Sequence, residues 1–460
     1  MDVTAEHERK LDAPDGFELP QLGGSPLETR VFTSVYHDVA DGSLARSGIT
    51  LRRRTEHGRS VWQLKLPSED ARLELEEPGG PGDPPQELQK LLAAHLRHGP
   101  VAPVAELRTR RRGQLVARNG TTAEVTIDEV AVMDALRVSD EFVEVEIELR
   151  DGDPARLDDI ADEVERAGAV PSGGLPKLFR ALGLSGPPPA PKEPFEALRA
   201  LLRVQLTEIL RHDPGTRLGT DPESLHDMRV AVRRSRALLR AGRRLIASDT
   251  TGLNDELQWL GTVLGAVRDL DVLLERLHEE AAGLGGDDTK AAEQLLRALE
   301  RERRRDRTAL LRALGSARYL KLLDRFQAEL DTLEPSGDDV SLDALARREL
   351  KKLRGAVREL PEEPHDDELH RVRKLGKRAR YAAELAGHAA VVRRAKALQD
   401  VLGEHQDAVV AEERLRTLAA EATPAQALAA GRLVDRERIR RAETRAAWPA
   451  VWRKLKHAGR

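Results

Sequence analysis

The chain has 460 residues, 40% apolar and 33% charged, with only 3% aromatics and a formal net charge of −4. At about 100 to 200 residues per domain this length suggests two to four domains, and the Leu- and Ala-rich, aromatic-poor composition suits long helices rather than disorder. The absence of cysteine excludes disulfide scaffolds, Cys-ligated zinc, iron–sulfur clusters and cysteine nucleophiles. The opening MDVTAEHERK is charged where a signal peptide needs an apolar run, and no stretch reaches the 18 or so apolar residues of a membrane helix, so the expectation is a cytoplasmic protein without a membrane partner.

Charge is unevenly spread. Residues 1–190 hold 23 Lys/Arg against 34 Asp/Glu, whereas residues 191–460 hold 52 against 45. An acidic half joined to a basic half points to two different tasks. In chain order, short alternating runs come first: Ile49 to Arg54, Val61 to Leu66, Arg72 to Glu76, Ala123 to Ile127 and Phe142 to Leu149. Their period of two predicts strands. Turn signals at Pro78–Pro85 and Arg118–Gly120 separate them, and helical patterns occur at Pro85–Leu96 and Pro154–Ala167. GPPPAPKEP at 186–194 has five prolines in nine residues and predicts an extended linker. Beyond it the pattern is helical, with breaks near 213–222, 283–288, 335–339 and 361–367. The expected division is therefore 1–185, linker 186–194 and 195–460.

The charged residues of the N-terminal strands alternate with apolar ones. Glu144, Glu146 and Glu148 share a face, as do Glu74 with Glu76, Arg52 with Arg54, and Glu6 and Glu8 with Lys10. One such strand suits a solvated outer face. Five or six suit a lumen, because a closed barrel of about eight strands can hold one small ligand. Arg and Lys would grip an anion there while paired Glu bind a hard cation through oxygen, and polyphosphate with magnesium needs both.

The basic half repeats itself. Leu225-His226-Asp227-Met228-Arg229-Val230 is matched by Leu369-His370-Arg371-Val372-Arg373-Lys374, and Leu260-x3-Leu264-Gly265-x3-Asp269 by Leu398-x3-Leu402-Gly403-x3-Asp407. A duplicated unit of this length predicts a pseudo-twofold pair of helical bundles. On a helix, His226, Arg229, Arg233, Arg236 and Arg240 form one stripe, and His370, Arg373, Lys377 and Arg380 form its counterpart. Arg234, Lys374 and Arg378 thicken the two stripes, whose charges would sum into one polyanion site.

Two resemblances follow from these residues. Glu6-His7-Glu8-Arg9-Lys10 resembles the ExExK signature of the CYTH family, the triphosphate tunnel metalloenzymes. Tyr36-His37-Asp38, Gly48 to Arg54, Lys65, Arg72 to Glu76, Thr109 to Arg111, Asp128, the Glu144/Glu146/Glu148 strand and Lys177 follow in the family's order. His7 and His37 depart from its usual apolar and aromatic residues. The resemblance implies an α+β chain that opens with an eight-stranded antiparallel tunnel flanked by helices. It implies hydrolysis of a triphosphate, inorganic tripolyphosphate foremost, with Mg²⁺ or Mn²⁺. Lys10, Arg52, Arg54, Lys65, Arg111 and Lys177 would act on phosphate, Lys10 being alternatively a counter-ion. Glu6, Glu8, Glu74, Glu76, Asp128, Glu144, Glu146 and Glu148 would hold metal.

LHDMRVAVRRSR and LHRVRKLGKRARY resemble the repeated element of the CHAD domain, a helical domain. That implies inorganic polyphosphate as partner, with location at polyphosphate granules in some members. His226, Arg229, Arg233, Arg234, Arg236, His370, Arg373, Lys374, Lys377, Arg378 and Arg380 are the binding residues so implied. Other readings are a non-catalytic polyphosphate binder, and a triphosphatase or cyclase for a nucleotide or thiamine triphosphate. A pI of about 6.4 argues against nucleic acid.

Overall fold

A computed structural model of the chain describes residues 2–67, 71–172, 177–183, 191, 193–338 and 341–458. Most of the expected linker, 186–190 and 192, lies outside the described residues. Two compact units are present, one of Met1–Pro188 with Thr207–Met228, the other of Pro189–Leu206 with Arg229–Arg460.

The first unit holds one antiparallel sheet. Its strands are β1 (Asp2–Glu6), β2 (Glu8–Ala13), β3 (Ser25–Pro26), β4 (Arg30–Asp38), β5 (Thr50–Glu56), β6 (Arg59–Pro67), β7 (Arg72–Pro78), β8 (Ala102–Arg118), β9 (Thr121–Asp134), β10 (Arg137–Asp151) and β11 (Val170–Pro171). The order is β1-β7-β6-β5-β4-β8-β9-β10-β2-β11, with β3 on β8. The expected eight strands become eleven among the described residues. β3 and β11 are two-residue additions, and the first long strand is split at His7. Asp2–Glu6 pairs with β7 and Glu8–Ala13 with β10, so one continuous stretch of chain serves both ends of the ladder. The sheet is tunnel-like, with no hydrogen-bonded ladder closing it between β1 and β2.

Most apolar residues of these strands pack outward. Leu51, Trp62, Leu64 and Leu75 lie under Leu44 of α1 (Ser43–Arg46) and Leu88 and Leu91 of α2 (Gln86–Leu91). Leu11, Val125, Ile127, Val145 and Ile147 lie under α3 (Arg156–Arg166), whose Leu157, Ile160, Ala161 and Val164 recur at i, i+3, i+4 and i+7. On the inward face, α4 (Lys177–Ala181) packs Leu178 against Tyr36, Leu107, Val130 and Phe142, which share their strands' face with Arg111, Asp128 and Glu144. Apart from this patch, the inward face of the strands is left for polar side chains.

The remaining helices are α5 (Pro194–Leu218), α6 (Pro222–Ala241), α7 (Thr251–Ala282), α8 (Gly286–Leu314), α9 (Ala317–Thr332), α10 (Leu342–Arg358), α11 (Asp366–Leu385), α12 (Ala389–Ala419) and α13 (Pro424–Lys456). α6 and α11 have 20 residues each, and α7 and α12 have 32 and 31. The order α5–α8 therefore recurs as α10–α13, as the sequence repeat requires, with α9 inserted. The two copies share a core in which Leu273 and Leu277 of α7 and Leu296 of α8 meet Leu415 of α12 and Leu433 of α13. Trp448 and Trp452 pack between helices. The first break falls within the expected stretch near 213–222, between Leu218 and Pro222. α5 continues through Pro214 and ends at Gly219, whose φ of 76° is the left-handed conformation glycine adopts freely.

Asp38 explains the Tyr-His-Asp element. It is 2% exposed and accepts hydrogen bonds from the Val39, Leu44 and Ala45 amides at 2.7, 3.0 and 2.9 Å, anchoring the first turn of α1. Ser43 of that helix lies 2.8 Å from His95 Nδ1, and His95 Nε2 lies 3.0 Å from the Leu210 carbonyl. The neutral ring with its proton on Nε2 satisfies both contacts. Burial pushes the His95 pKa down to about 4, whereas in the unfolded chain it would be about 6.5. Between those values the unfolded chain takes up a proton that the fold refuses. The stability this ring contributes is thus complete above about pH 6.5 and is lost as pH falls towards 4, by about 3 kcal/mol in all. Urea unfolding at neutral pH and at pH near 5 should show this loss in the native protein and a shallower loss in His95→Gln; equal slopes would remove His95 from the acid response.

Candidate functional site

The strand register assembles the interior. Cross-strand partners on that face are polar with polar: Glu146 opposite Lys10, Lys65 opposite Glu74, Gln63 opposite Glu76, Arg111 opposite Asp128, and Arg30 opposite Arg111. A slip of one residue would turn all of them outward. They enclose a cavity of about 230 Å³ lined by nine cations and five carboxylates. The cations are Lys10, Arg30, Arg52, Arg54, Lys65, Arg72, Arg111, Arg150 and Lys177. The carboxylates are Glu6, Glu74, Glu76, Glu146 and Glu148. Tyr36, Thr50 and Gln63 complete the wall.

Every expected phosphate residue lines this cavity. Among the expected metal residues, Glu8, Asp128 and Glu144 do not. Glu8 faces a wider groove of about 760 Å³ that shares Glu6, Lys10 and Arg72. Asp128 and Glu144 are fully buried behind the wall. Asp128 accepts two bonds from Arg111, at 2.7 and 2.6 Å, and one from Lys177 at 2.6 Å. Glu146 accepts from Lys10 at 2.7 Å, from Lys177 at 2.8 Å and from Arg111. Burial alone would raise the Glu146 carboxyl, but Lys10, Lys177 and Arg111 together hold it well below the usual range. Glu144 is fully buried and has only Lys177 and Lys10 to offset that burial, so its pKa rises. Burial also pushes Glu148 up to about 7 against the pull of Arg150.

One cation is weakly paired: Arg54 Nη2 donates to Glu56 Oε2 at 3.3 Å, a carboxylate that Arg30 already holds at 2.7 and 2.6 Å. Arg54 lies 3.6 Å above the Phe32 ring and its Nε has no hydrogen-bond partner. Burial, joined by Arg52, Arg111 and Arg30, pushes its pKa down to about 10. By contrast Arg52 is tied to Gln63 at 2.7 Å and Tyr36 at 3.2 Å. An excess of positive charge inside a narrow space, here nine cations against five carboxylates, is an anion site.

The carboxylates suit a hard divalent cation by their chemistry. Glu6, Glu74, Glu146 and Glu148 line one space, and Glu74 Oε1 is buried without a hydrogen-bond partner. Ammonium groups now stand between them: Lys65 Nζ is 2.5 Å from Glu6 and 3.6 Å from Glu74. Among the described residues no three His, Asp or Glu side chains are gathered as a metal would gather them.

In the second unit a separate cavity of about 480 Å³ is lined by ten cations and one carboxylate, Glu349. Arg233, Arg236, Arg240, Lys374, Lys377 and Arg378 of the expected stripes are there. Arg243, Arg244, Arg348 and Lys352 join them. Arg229, Arg234, His370, Arg373 and Arg380 do not line it. Arg229 is held by Asp269 at 2.8 Å and Arg234 by Glu384, and His370 bonds Gln406. His226 belongs to the first unit.

Sequence reading missed Arg30, Arg72 and Arg150 in the tunnel. Arg72 and Arg150 continue the alternation of Glu74/Glu76 and Glu144/Glu146/Glu148, so the signal was present. Arg30 is identified only by its register with Arg111. Arg348 and Lys352 sit in a basic run on α10 that resembles an ordinary solvated helix face.

Asp128 is the tie between Lys177 and the sheet. Asp128→Asn should lose about 3 to 5 kcal/mol, the cost of leaving buried cations short of a partner, read as a lower urea midpoint. An unchanged midpoint would show that Glu144 and Glu146 suffice.

Comparison with known proteins agrees with this two-part organisation. A CYTH domain model matches residues 4–172 and a CHAD domain model residues 200–416. An uncharacterized protein of Mycobacterium tuberculosis, found in two strains, is 33% identical over 505 aligned positions, spanning 99% of this chain and 97% of its own length. Among solved structures, PptA from Streptomyces chartreusis aligns at 28% identity and a TM-score of 0.50 over 56% of this chain and 99% of its own. The CHAD domain from the plant Ricinus communis aligns at 29% and 0.48 over 58% and 93%. A tunnel-like sheet with a charged interior, followed by a duplicated helical unit with a basic cavity, places this chain in the family of proteins that join a CYTH domain to a CHAD domain.

Proposed function

We propose that the tunnel hydrolyses a triphosphate, inorganic tripolyphosphate foremost, with Mg²⁺ or Mn²⁺, and that the basic helical face binds inorganic polyphosphate. The observation that carries this reading is the 230 Å³ cavity with an excess of four cations. That charge suits a triphosphate, and the lining is polar throughout, with no aromatic ring but Tyr36 to receive a base.

Arg54, with its unpartnered Nε, and Arg30, Arg52 and Arg111 would take the phosphate oxygens, their planar donors matching phosphate geometry. Lys65 and Lys177 add charge from the opposite walls. Lys10 is held among Glu8 at 3.1 Å, Glu146 at 2.7 Å and Glu144 at 3.6 Å, which supports its role as counter-ion. Glu6, Glu74, Glu146 and Glu148 would hold a divalent cation, whose chemistry is to polarise phosphoryl oxygens and acidify water. Glu8 and Glu76 stand at the rim of this set, and Asp128 and Glu144 position Lys177 and Arg111 from behind.

Phosphate release by the full chain with Mg²⁺ should be fastest from tripolyphosphate, slower from ATP and slowest from long-chain polyphosphate. Arg54→Ala should lower kcat/KM at least about 100-fold, the usual scale for one preorganised charge contact. Faster release from ATP would make the substrate a nucleotide. No release from any of the three would leave a binding protein. Polyphosphate binding to the helical face should fall by about 10³-fold between roughly 50 and 200 mM salt, as counter-ion release requires. Arg236→Ala should make that salt dependence shallower, and a salt-independent affinity would contradict the polyanion reading.

A further inference from the structure

The basic cavity of the second unit contains three lysines in unlike surroundings. Lys352 is ion-paired with Glu349, the single carboxylate of the lining, and Lys374 is exposed. Lys377 is half-buried in the wall, and its strongest electrostatic neighbours are cations from two helices, Arg229 and Arg233 of α6 and Arg373 and Arg380 of α11. The nearby carboxylates are committed elsewhere. Asp269 of α7 holds Arg229 at 2.8 Å, and Asp407 of α12 acts on Arg373. The Nε atoms of Arg233, Arg373 and Arg380 are buried without hydrogen-bond partners. An amine crowded by cations in a concave anion site has the surroundings that turn a lysine into a nucleophile.

We propose that Lys377 is an acylation site for small acyl phosphates, whose phosphate docks on the guanidinium groups around it. The neutral amine attacks the acyl carbon and forms the C–N bond. The bond from that carbon to the phosphate oxygen breaks, inorganic phosphate leaves with the displaced proton, and an amide remains. Burial, joined by Arg373, Arg233, Arg229 and Arg380, pushes the Lys377 pKa down to about 7. Near neutral pH this gives about three orders of magnitude more free amine than an ordinary lysine has, part of which lower basicity returns. Acylation would cancel one charge and narrow the cavity, weakening its hold on a polyanion. The proposal rests on the reading of this face as an anion site.

The test is acetyl phosphate on the full chain near neutral pH, with acetylated lysines mapped by peptide mass spectrometry. Lys377 should react at least about tenfold faster than Lys352 and Lys374, with a half-maximal rate near pH 7. Excess pyrophosphate should suppress it. Similar rates at the three lysines, or a Lys377 rate indifferent to pyrophosphate, would overturn the proposal. So would acetylation of Lys377 by an uncharged active ester but not by acetyl phosphate. Polyphosphate binding is measured on the same preparation. Binding with unselective acylation defeats only the Lys377 site, whereas absent binding with selective acylation defeats only the polyphosphate reading.

Discussion

Glu146 is the centre on which the tunnel depends. Its carboxylate is shared by Lys10 of β2, Arg111 of β8 and Lys177 of α4, so three separate elements converge on one residue of β10. A buried charge without partners costs several kcal/mol, and one with three cations becomes a node that other elements must reach. The β2–β10 register is held there, and α4 is drawn into the interior through Lys177. Asp128 and Glu144 surround the node and are fully buried behind it. An anion-binding cavity can form beside this group because its own charges are largely spent on one another.

The tunnel inverts the usual arrangement of a small β-domain. Charged side chains line the cavity and the two larger hydrophobic cores lie outside, under α1, α2 and α3, with a smaller apolar cluster around Leu178 on the inward face. Such an interior is stable only where nearly every cation meets a carboxylate, and the cross-strand register supplies those meetings. Where a cation must share its carboxylate, as Arg54 shares Glu56 with Arg30, the imbalance marks the surface that waits for an anion. Structure and function thus draw on one set of charges.

The helical unit follows the same logic with different parts. In each copy of the duplication an arginine lies against a glycine one helix away: Arg229 on Gly265, and Arg373 on Gly403. Asp269 and Asp407 stand one turn further along, as the repeated Leu-Gly-x3-Asp element dictates. This pair of arginines is partly neutralised in place. The cavity cations Arg233, Arg236, Lys377 and Arg378 have no such partner in the motif, and they form its open positive surface. Duplication therefore supplies two anchored arginines and, beside them, two stripes of free charge.

Much of this was legible from the amino-acid order. Alternation of charge and apolar residue gave the strands and the face that turns inward, because the strand period is two whatever the neighbours are. Helical stripes and the two repeated motifs gave the duplication for a similar reason, since a period of 3.6 is a local property. The set of tunnel residues was legible as well, apart from Arg30, Arg72 and Arg150. What the order could not contain was which charge meets which. That Glu6 is bound by Lys65, that Asp128 and Glu144 sit behind the wall, that the first strand divides at His7, and that Arg54 must share Glu56 with Arg30 all depend on strand register and on helices placed from distant parts of the chain. Local periodicity determines which side of an element a residue faces; only tertiary packing decides what it finds there.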